Sequence, residues 1–355
     1  MFDLSLLTMN EQEAQGVSEA IFERTITGGA LEEFHDIVTG IDMDTQIPFI
    51  GNMGLVGSKI TSCDRNVNGV TIPLTEKFWR PVIIGDRLKH CAVDTPALFK
   101  LFKRASKMNP DFYDKIGTEE FGLIIAKADQ AIVKMINRLV WFGDTAAANV
   151  SAAGEITNGT DVKFFNPIDG LFKQIFAEIP TTAANYVEIT ANAGVNKAAQ
   201  ETLAADAAFV MFRAMYNKID ARFFQALEEG AQPQFLVTRA LFQNFQDYIE
   251  DTSKVFTLAE IKDGVSVASY RGIPIKVRND WDNNIKTYQD NGTIYNLPHR
   301  ALLTVKENIP VGTLATSDLS TFDSWYEKKD KANYVDFDLN MDVKHLLNYM
   351  TVAAY

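Results

Sequence analysis

Residues Glu119 to Phe142 carry apolar side chains at unbroken helical spacing: Phe121, Ile124, Ile125, Ala128, Ile132, Met135, Ile136, Leu139 and Val140. Lys127, Asp129, Lys134, Asn137 and Arg138 fill the other face. Thr118 stands at an N-cap position, Glu119 and Glu120 suit the positive end of the helix dipole, and Gly143 supplies a stop. Such a rod reaches roughly 35 Å, long for a helix in a globular protein. It demands a matching apolar surface along one side, with Phe121, Ile125, Ile132, Met135, Ile136 and Leu139 as its core contacts. Beyond it come Gly143-Asp144, a stretch rich in Ala, Ser, Asn and Gly to Gly159, and the restart Asn166-Pro167-Ile168-Asp169-Gly170-Leu171.

The chain's 355 residues, 46% of them apolar, suffice for a large core and two lobes. Twenty-four Phe and eleven Tyr suit cores and interfaces alike. A formal net charge of −12 argues against a nucleic-acid grip spread over the whole surface. Cys63 and Cys91 are too few for a disulfide framework or a thiolate zinc site, and reduced thiols are expected. Met1 to Asn10 lacks the basic and apolar regions of a signal peptide, and no stretch nears the roughly 20 apolar residues of a membrane span. A soluble chain made in the cytoplasm is expected.

Ala14, Val17, Ile21 and Thr25 mark a thin helical stripe, and Leu31, Phe34, Ile37 and Val38 predict a second short helix. Together they form an arm too poor in apolar surface to fold alone. A glycine-rich hinge through Gly57 follows Ile47-Pro48-Phe49-Ile50. Lys59 to Ile84 reads as a long hairpin, because Asn68-Gly69 is the strongest short-range signal for a two-residue turn. Pro73 and Pro81 make its return arm an edge or irregular strand. A two-stranded ribbon cannot cover Phe78, Trp79 and Ile83 by itself. From Ser58 to His90 there are six Lys/Arg against three Asp/Glu. Docking onto an acidic copy of the same chain is therefore expected, through Asn68, Gly69, Phe78, Trp79, Arg80 and Ile83.

Further on, Asp94 or Thr95 can cap a short helix from Pro96 to Lys107. Lys197 to Glu229 predicts a second long helical region, apolar on several faces and so buried. Phe235 to Val237 is a short strand, and Thr238 caps a helix bearing Leu241, Phe242, Phe245 and Ile249. Val265 to Val277 predicts two strands turning near Arg271-Gly272, and Ala301 to Val305 another. In the tail, Phe337, Leu339, Met341 and Val343 alternate with Asp336, Asp338, Asn340 and Asp342, which predicts a strand with one acidic face.

No catalytic constellation emerges. Gly51 to Lys59 puts five residues where a phosphate loop has four, and Gly57-Ser58-Lys59 runs in the wrong order. Asp336, Asp338, Asn340 and Asp342 open like a calcium loop, but Met341 and Leu347 stand where its glycine and glutamate belong. His35, His90, His299 and His345 are scattered, without a pair at helical spacing. His90 and Cys91 are adjacent and point to opposite faces of a strand. No cofactor, no metal and no catalytic residue is expected, and the chain is not expected to be an enzyme.

Taken in order, these segments resemble the tailed-phage major capsid proteins of the Hong Kong 97 type across nearly the whole chain. The resemblance rests on the rod with its Gly143-Asp144 exit and Asn166 to Leu171 re-entry, the Asn68-Gly69 hairpin, the unit from Phe235 to Ile249, and Tyr270-Arg271-Gly272-Ile273-Pro274-Ile275. It implies an α+β capsid fold: N-terminal arm and hinge (1–57), extended hairpin loop (58–92), peripheral domain with the spine helix (93–195), axial domain (196–335) and a return strand (336–355). It implies a virion subunit that assembles with itself as hexamers and pentamers into an icosahedral shell enclosing double-stranded DNA without sequence-specific binding. Portal and decoration proteins are implied partners, with no membrane. The arm starts at Met1 with little room for a cleaved scaffolding extension, so a separate scaffolding protein is expected. A bacterial nanocompartment shell is the related alternative, and a cytoplasmic enzyme with a dispersed site is the alternative of another class.

Overall fold

A computed structural model of the chain describes residues 31–47, 77–91, 119–147, 162–228, 230–253, 259–262, 265–314, 323–327, 329–330 and 332–355. In chain order its strands are β1 (Ile37–Thr39), β2 (Val82–Cys91), β3 (Tyr186–Val187), β4 (Pro233–Val237), β5 (Ala259–Lys262), β6 (Val265–Tyr270), β7 (Ile273–Val277), β8 (Ala301–Val305), β9 (Val311–Thr313), β10 (Asp323–Glu327), β11 (Ala332–Val343) and β12 (Val352–Ala354). Its helices are α1 (Glu119–Phe142), α2 (Leu171–Glu178), α3 (Lys197–Glu201), α4 (Ala207–Asn217), α5 (Ala221–Glu228), α6 (Arg239–Ser253) and α7 (Asn279–Tyr288).

Helix α1 has the bounds its periodicity predicts and ends where Gly143 donates its N–H to the Leu139 carbonyl at 3.1 Å. Ile132, Met135, Ile136 and Leu139 are buried in one core, while the side chains of Phe121 and Ile125 lie outside the described part. Against this stripe lies β11, whose alternation works as read: Val335, Phe337, Leu339, Met341 and Val343 all point into the same core. β11 is the axis of a five-stranded sheet. Along one side it pairs antiparallel with β2, from Ala332↔Cys91 to Met341↔Val82. Along the other it pairs with β10 and β9, and β1 closes the sheet parallel to β9.

The second sheet has seven strands in the order β3-β12-β8-β4-β7-β6-β5. All five residues of β8 are buried, as expected of a strand covered on both faces. Leu236, Leu302 and Ala353 face the α1 core together with Trp281 and Ile285 of α7. Phe235, Val237, Leu303 and Val352 face a second core with Phe212 of α4 and Phe245 of α6. Between β6 and β7, Arg271 and Gly272 both take positive φ (51° and 83°), as a tight two-residue hairpin turn requires.

Several local expectations are corrected. Leu31 to Val38 is not a helix: a turn at Leu31–His35 leads into β1, whose β-branched Ile37, Val38 and Thr39 gain ladder partners in Val311, Gly312 and Thr313. Lys197 to Glu229 is no continuous rod but the three helices α3, α4 and α5. Its apolar residues occupy several faces, which one straight helix cannot bury at once. Asn196 caps α3 through Oδ1 (2.8 Å to Ala199 N), and Asp220 receives the Arg222 N–H (2.9 Å) as the chain enters α5. Thr238 does precede α6, but its buried hydroxyl has no hydrogen-bond partner among the described residues; the Asp282 carboxylate of α7 takes the Arg239 N–H instead, at 2.9 Å. The arm's first helix, Thr118, the 96–107 helix and the Asn68-Gly69 turn lie outside the described residues.

Candidate functional site

Residues 44–47 and 77–79, which flank 48–76, lie side by side in a short antiparallel neck. Asp44 N bonds to Trp79 O (2.8 Å), Trp79 N to Thr45 O (2.9 Å) and Ile47 N to Lys77 O (3.1 Å), with Gln46 opposite Phe78. Trp79 locks the neck to the body: it is 1% exposed and packs with Ile41, Ile47 and Leu346. Gly312 of β9 makes room for the indole, since a Cβ there would lie 2.8 Å from Trp79 Cζ3 and 2.7 Å from Ile41 Cδ1. Trp79 therefore has no surface left for a neighbouring copy, which corrects its expected role. Phe78, Arg80 and Ile83 do stay at the surface, Ile83 at 69% exposure. The expected ribbon ends earlier than Ile84, because β2 belongs to the subunit's own sheet.

Two polar clusters fix the neck. Arg80 donates its backbone N–H to Asp342 Oδ2 (2.7 Å), and its side chain meets Asp44 (3.3 Å). Asp342 is itself buried and paired with Lys344 (2.9 Å), and Asp336 is paired with Arg87 (2.5 Å), so the acidic face expected of β11 is largely neutralised. On the other side, Lys77 Nζ lies 2.5 Å from Glu178 Oε1 and also donates to the His345 carbonyl. His345 Nδ1 is 2.6 Å from Glu178 Oε2, and its Nε2 is 2.9 Å from Thr351 Oγ1. Burial pulls the His345 pKa below its ordinary value and outweighs the Glu178 bond that opposes it. Burial acts to raise the Glu178 pKa, but bonds from His345 and Lys77 overcome it and hold the carboxyl ionised. A neutral imidazole donating from Nδ1 satisfies both partners.

The other junction is where α1 meets α2. Gly170 N donates to Gly143 O at 2.8 Å, and Lys173 binds both Asp144 (2.5 Å) and Asp169 (2.7 Å) across it. Here the Gly143-Asp144 exit and the Asn166 to Gly170 re-entry become one structural unit. Sequence spacing carries no hint that Lys77, Glu178 and His345 meet, or that Asp342 meets Arg80, from distant parts of the chain. The glycine inside β9 was the one local signal of a close approach.

Nothing in this arrangement offers a reaction centre. Among the described residues no three His, Cys, Asp or Glu side chains gather as a metal site, and no helix is long and apolar enough to cross a membrane.

No protein-family model matches the chain, and no curated protein sequence matches it. Solved structures do. A protein of the satellite phage P4 procapsid, a structure that includes the size-determination protein Sid, superposes with TM-score 0.53 at 12% identity, over 96% of this chain and 98% of the other. A protein of Gordonia phage Cozz gives 0.51 at 12% identity, over 91% and 85%. The capsid of an empty GTA particle gives 0.51 at 9% identity, over 92% and 88%. The chain has the fold of phage capsid proteins.

Proposed function

We propose that the chain is the repeating subunit of a tailed-phage capsid, a structural major capsid protein and not an enzyme. It assembles with itself as hexamers and pentamers into an icosahedral shell around double-stranded DNA. The observation that supports this reading is that a protein of a phage procapsid superposes on 96% of the chain with TM-score 0.53. In this reading α1, α2 and the five-stranded sheet form the peripheral domain, and the seven-stranded sheet with α4, α5 and α6 forms the axial domain. The hairpin loop expected around Asn68-Gly69 serves as the contact with a neighbouring copy, with Phe78, Arg80 and Ile83 beside its base. A separate scaffolding protein, a portal and decoration proteins complete the virion, which is built in the host cytoplasm.

Negative-stain microscopy and sedimentation of the expressed protein test the proposal. Closed shells, or tubes of the same subunit lattice, are expected. A small discrete oligomer with a ligand-filled pocket would overturn it in favour of an enzyme. Shells that hold a short cargo peptide and no DNA would overturn the phage assignment in favour of a nanocompartment.

A further inference from the structure

Three cations on the solvent side of α1 share one narrow stripe. Lys127, Lys134 and Arg138 are seven and four residues apart, so they fall within about 40° of arc and about 17 Å of helix length. Lys127 and Lys134 are exposed, with Gln130 and Ala131 between them. At the far end Arg138 crosses to the turn Val162–Phe164, where its Nε donates to the Phe164 carbonyl at 3.2 Å. The Arg138 guanidinium lies 5.8 Å from the centre of the Phe164 ring, and Lys163 Nζ lies 4.7 Å from it. Four cations thus share one surface, and Lys127, Lys134 and Lys163 have no ion pair among the described residues.

Folding does not account for this stripe. Lys134 and Arg138 repel each other at i, i+4. Lys127 and Lys134 stand before the last turn of α1, too far from its end for the helix dipole to favour them. The chain carries 46 acidic against 34 basic residues, so three cations aligned from Lys127 to Arg138 run against its composition, with Glu120 one heptad before them in the same row.

We propose that this face is a contact surface for the phosphate backbone of duplex DNA. A duplex carries roughly one charge per 1.7 Å of axis, so a straight row of cations engages it in any register and reads no bases. A protein partner would need several large apolar anchors, and among the described residues this surface offers Phe164, with Gln130 and Ala131 between the lysines. The inference rests on the shell reading only for where DNA is met. The contact itself belongs to the free subunit.

Fluorescence anisotropy with labelled duplexes of about 20 base pairs and unrelated sequences, titrated with unassembled subunit, tests it. Four phosphate contacts predict a slope of about −3 to −4 in log K against log salt, and a roughly 100-fold loss of affinity between 50 and 200 mM salt. Both sequences should bind alike. The Lys127→Gln/Lys134→Gln/Lys163→Gln variant should lose at least about tenfold in affinity at 50 mM salt, and its slope should shrink by roughly 2.7. A control with the same charge change elsewhere, Arg213→Gln/Lys286→Gln/Lys329→Gln, should keep both. No binding by the unaltered subunit, an unchanged slope in the first variant, or an equal loss in the control would overturn the proposal. Competition by poly-glutamate as effective as by DNA of equal charge would overturn it too, in favour of an acidic polypeptide. Shell formation is scored separately by microscopy, so failure of this contact and failure of the shell reading remain distinct results.

Discussion

Gly143 and Gly170 bring the end of α1 and the start of α2 into backbone contact, and a single methyl group at either position should break it. A Cβ on Gly143 would lie 2.5 Å from Ile168 O and 2.7 Å from Leu139 O. A Cβ on Gly170 would lie 2.6 Å from Gly143 N and 2.8 Å from Leu139 O. Non-bonded heavy atoms need about 3.5 Å, so either alanine overlaps backbone by nearly 1 Å. Backbone cannot swing aside as the tip of a side chain does. Relief means separating the two segments, which breaks the 2.8 Å bond from Gly170 N to Gly143 O. It also loosens the ring contacts beneath, Trp141–Phe172 at 5.2 Å and Phe142–Phe172 at 5.1 Å. Overpacking of about 1–3 kcal/mol plus about 1 for the lost bond gives roughly 2–4 kcal/mol per substitution. That is a large part of a typical stability of about 5–15 kcal/mol. Urea unfolding of the free subunit, followed by circular dichroism and tryptophan fluorescence, would read the change as a midpoint shift. Because both alanines open the same contact, Gly143→Ala/Gly170→Ala should cost less than the sum of the singles by about 0.5 kcal/mol or more. Single effects below about 0.5 kcal/mol, or full additivity, would refute the reasoning.

Ile132→Asp places an unpaired carboxylate in the α1 core and should cost several kcal/mol, giving insoluble or unfolded subunits; a soluble, assembling variant would show that the stripe is not the spine of the fold. Replacing Gly51 to Thr75 with a short glycine-serine linker should leave a folded subunit, because Ile47 and Lys77 already face each other at 3.1 Å, yet that subunit should not build shells; closed shells by microscopy would remove the assembly role of the loop. Gly312→Val pushes into Trp79 and Ile41, and a loss of about 1–3 kcal/mol in thermal or urea unfolding, with misdirected assembly, is the expected result. Burial lowers the pKa of His35 to about 3 and also lowers those of His299 and His345. The unfolded chain therefore binds protons that the folded one refuses, so stability present above about pH 6.5 is lost as pH falls, at up to about 1.4 kcal/mol per pH unit for each histidine. His35 alone accounts for about 5 kcal/mol by the time pH reaches its folded pKa. A urea midpoint that stays flat between pH 6.5 and 5 would contradict this.

What could be read from the sequence was whatever a single segment decides for itself. The stripe of α1 fixes its own length and buried face, and the alternation of β11 fixes which side meets that stripe. The apolar run of β8 needs only to be recognised as covered on both sides. What stayed hidden was decided by distant partners. Val82–Cys91 reads locally as the tail of a free ribbon, and only its ten-residue register with β11 makes it part of the body. That pairing takes Val82–Cys91 out of the expected loop, while Trp79 packs into a core of Ile41, Ile47 and Leu346 instead of a contact surface. The same holds for charge. Asp342 reads as one of a row of solvated acids, yet it is buried and caps the neck through Arg80 N, whereas Lys127 and Lys134 read as part of an ordinary polar face until the fold leaves them exposed in line with Arg138, which bonds to the Phe164 carbonyl. A segment's own pattern thus settles where it is buried, but the pairing of remote segments decides which of its polar groups remain available to a partner. In this chain those remaining groups are the sides of the neck and the cationic stripe of α1.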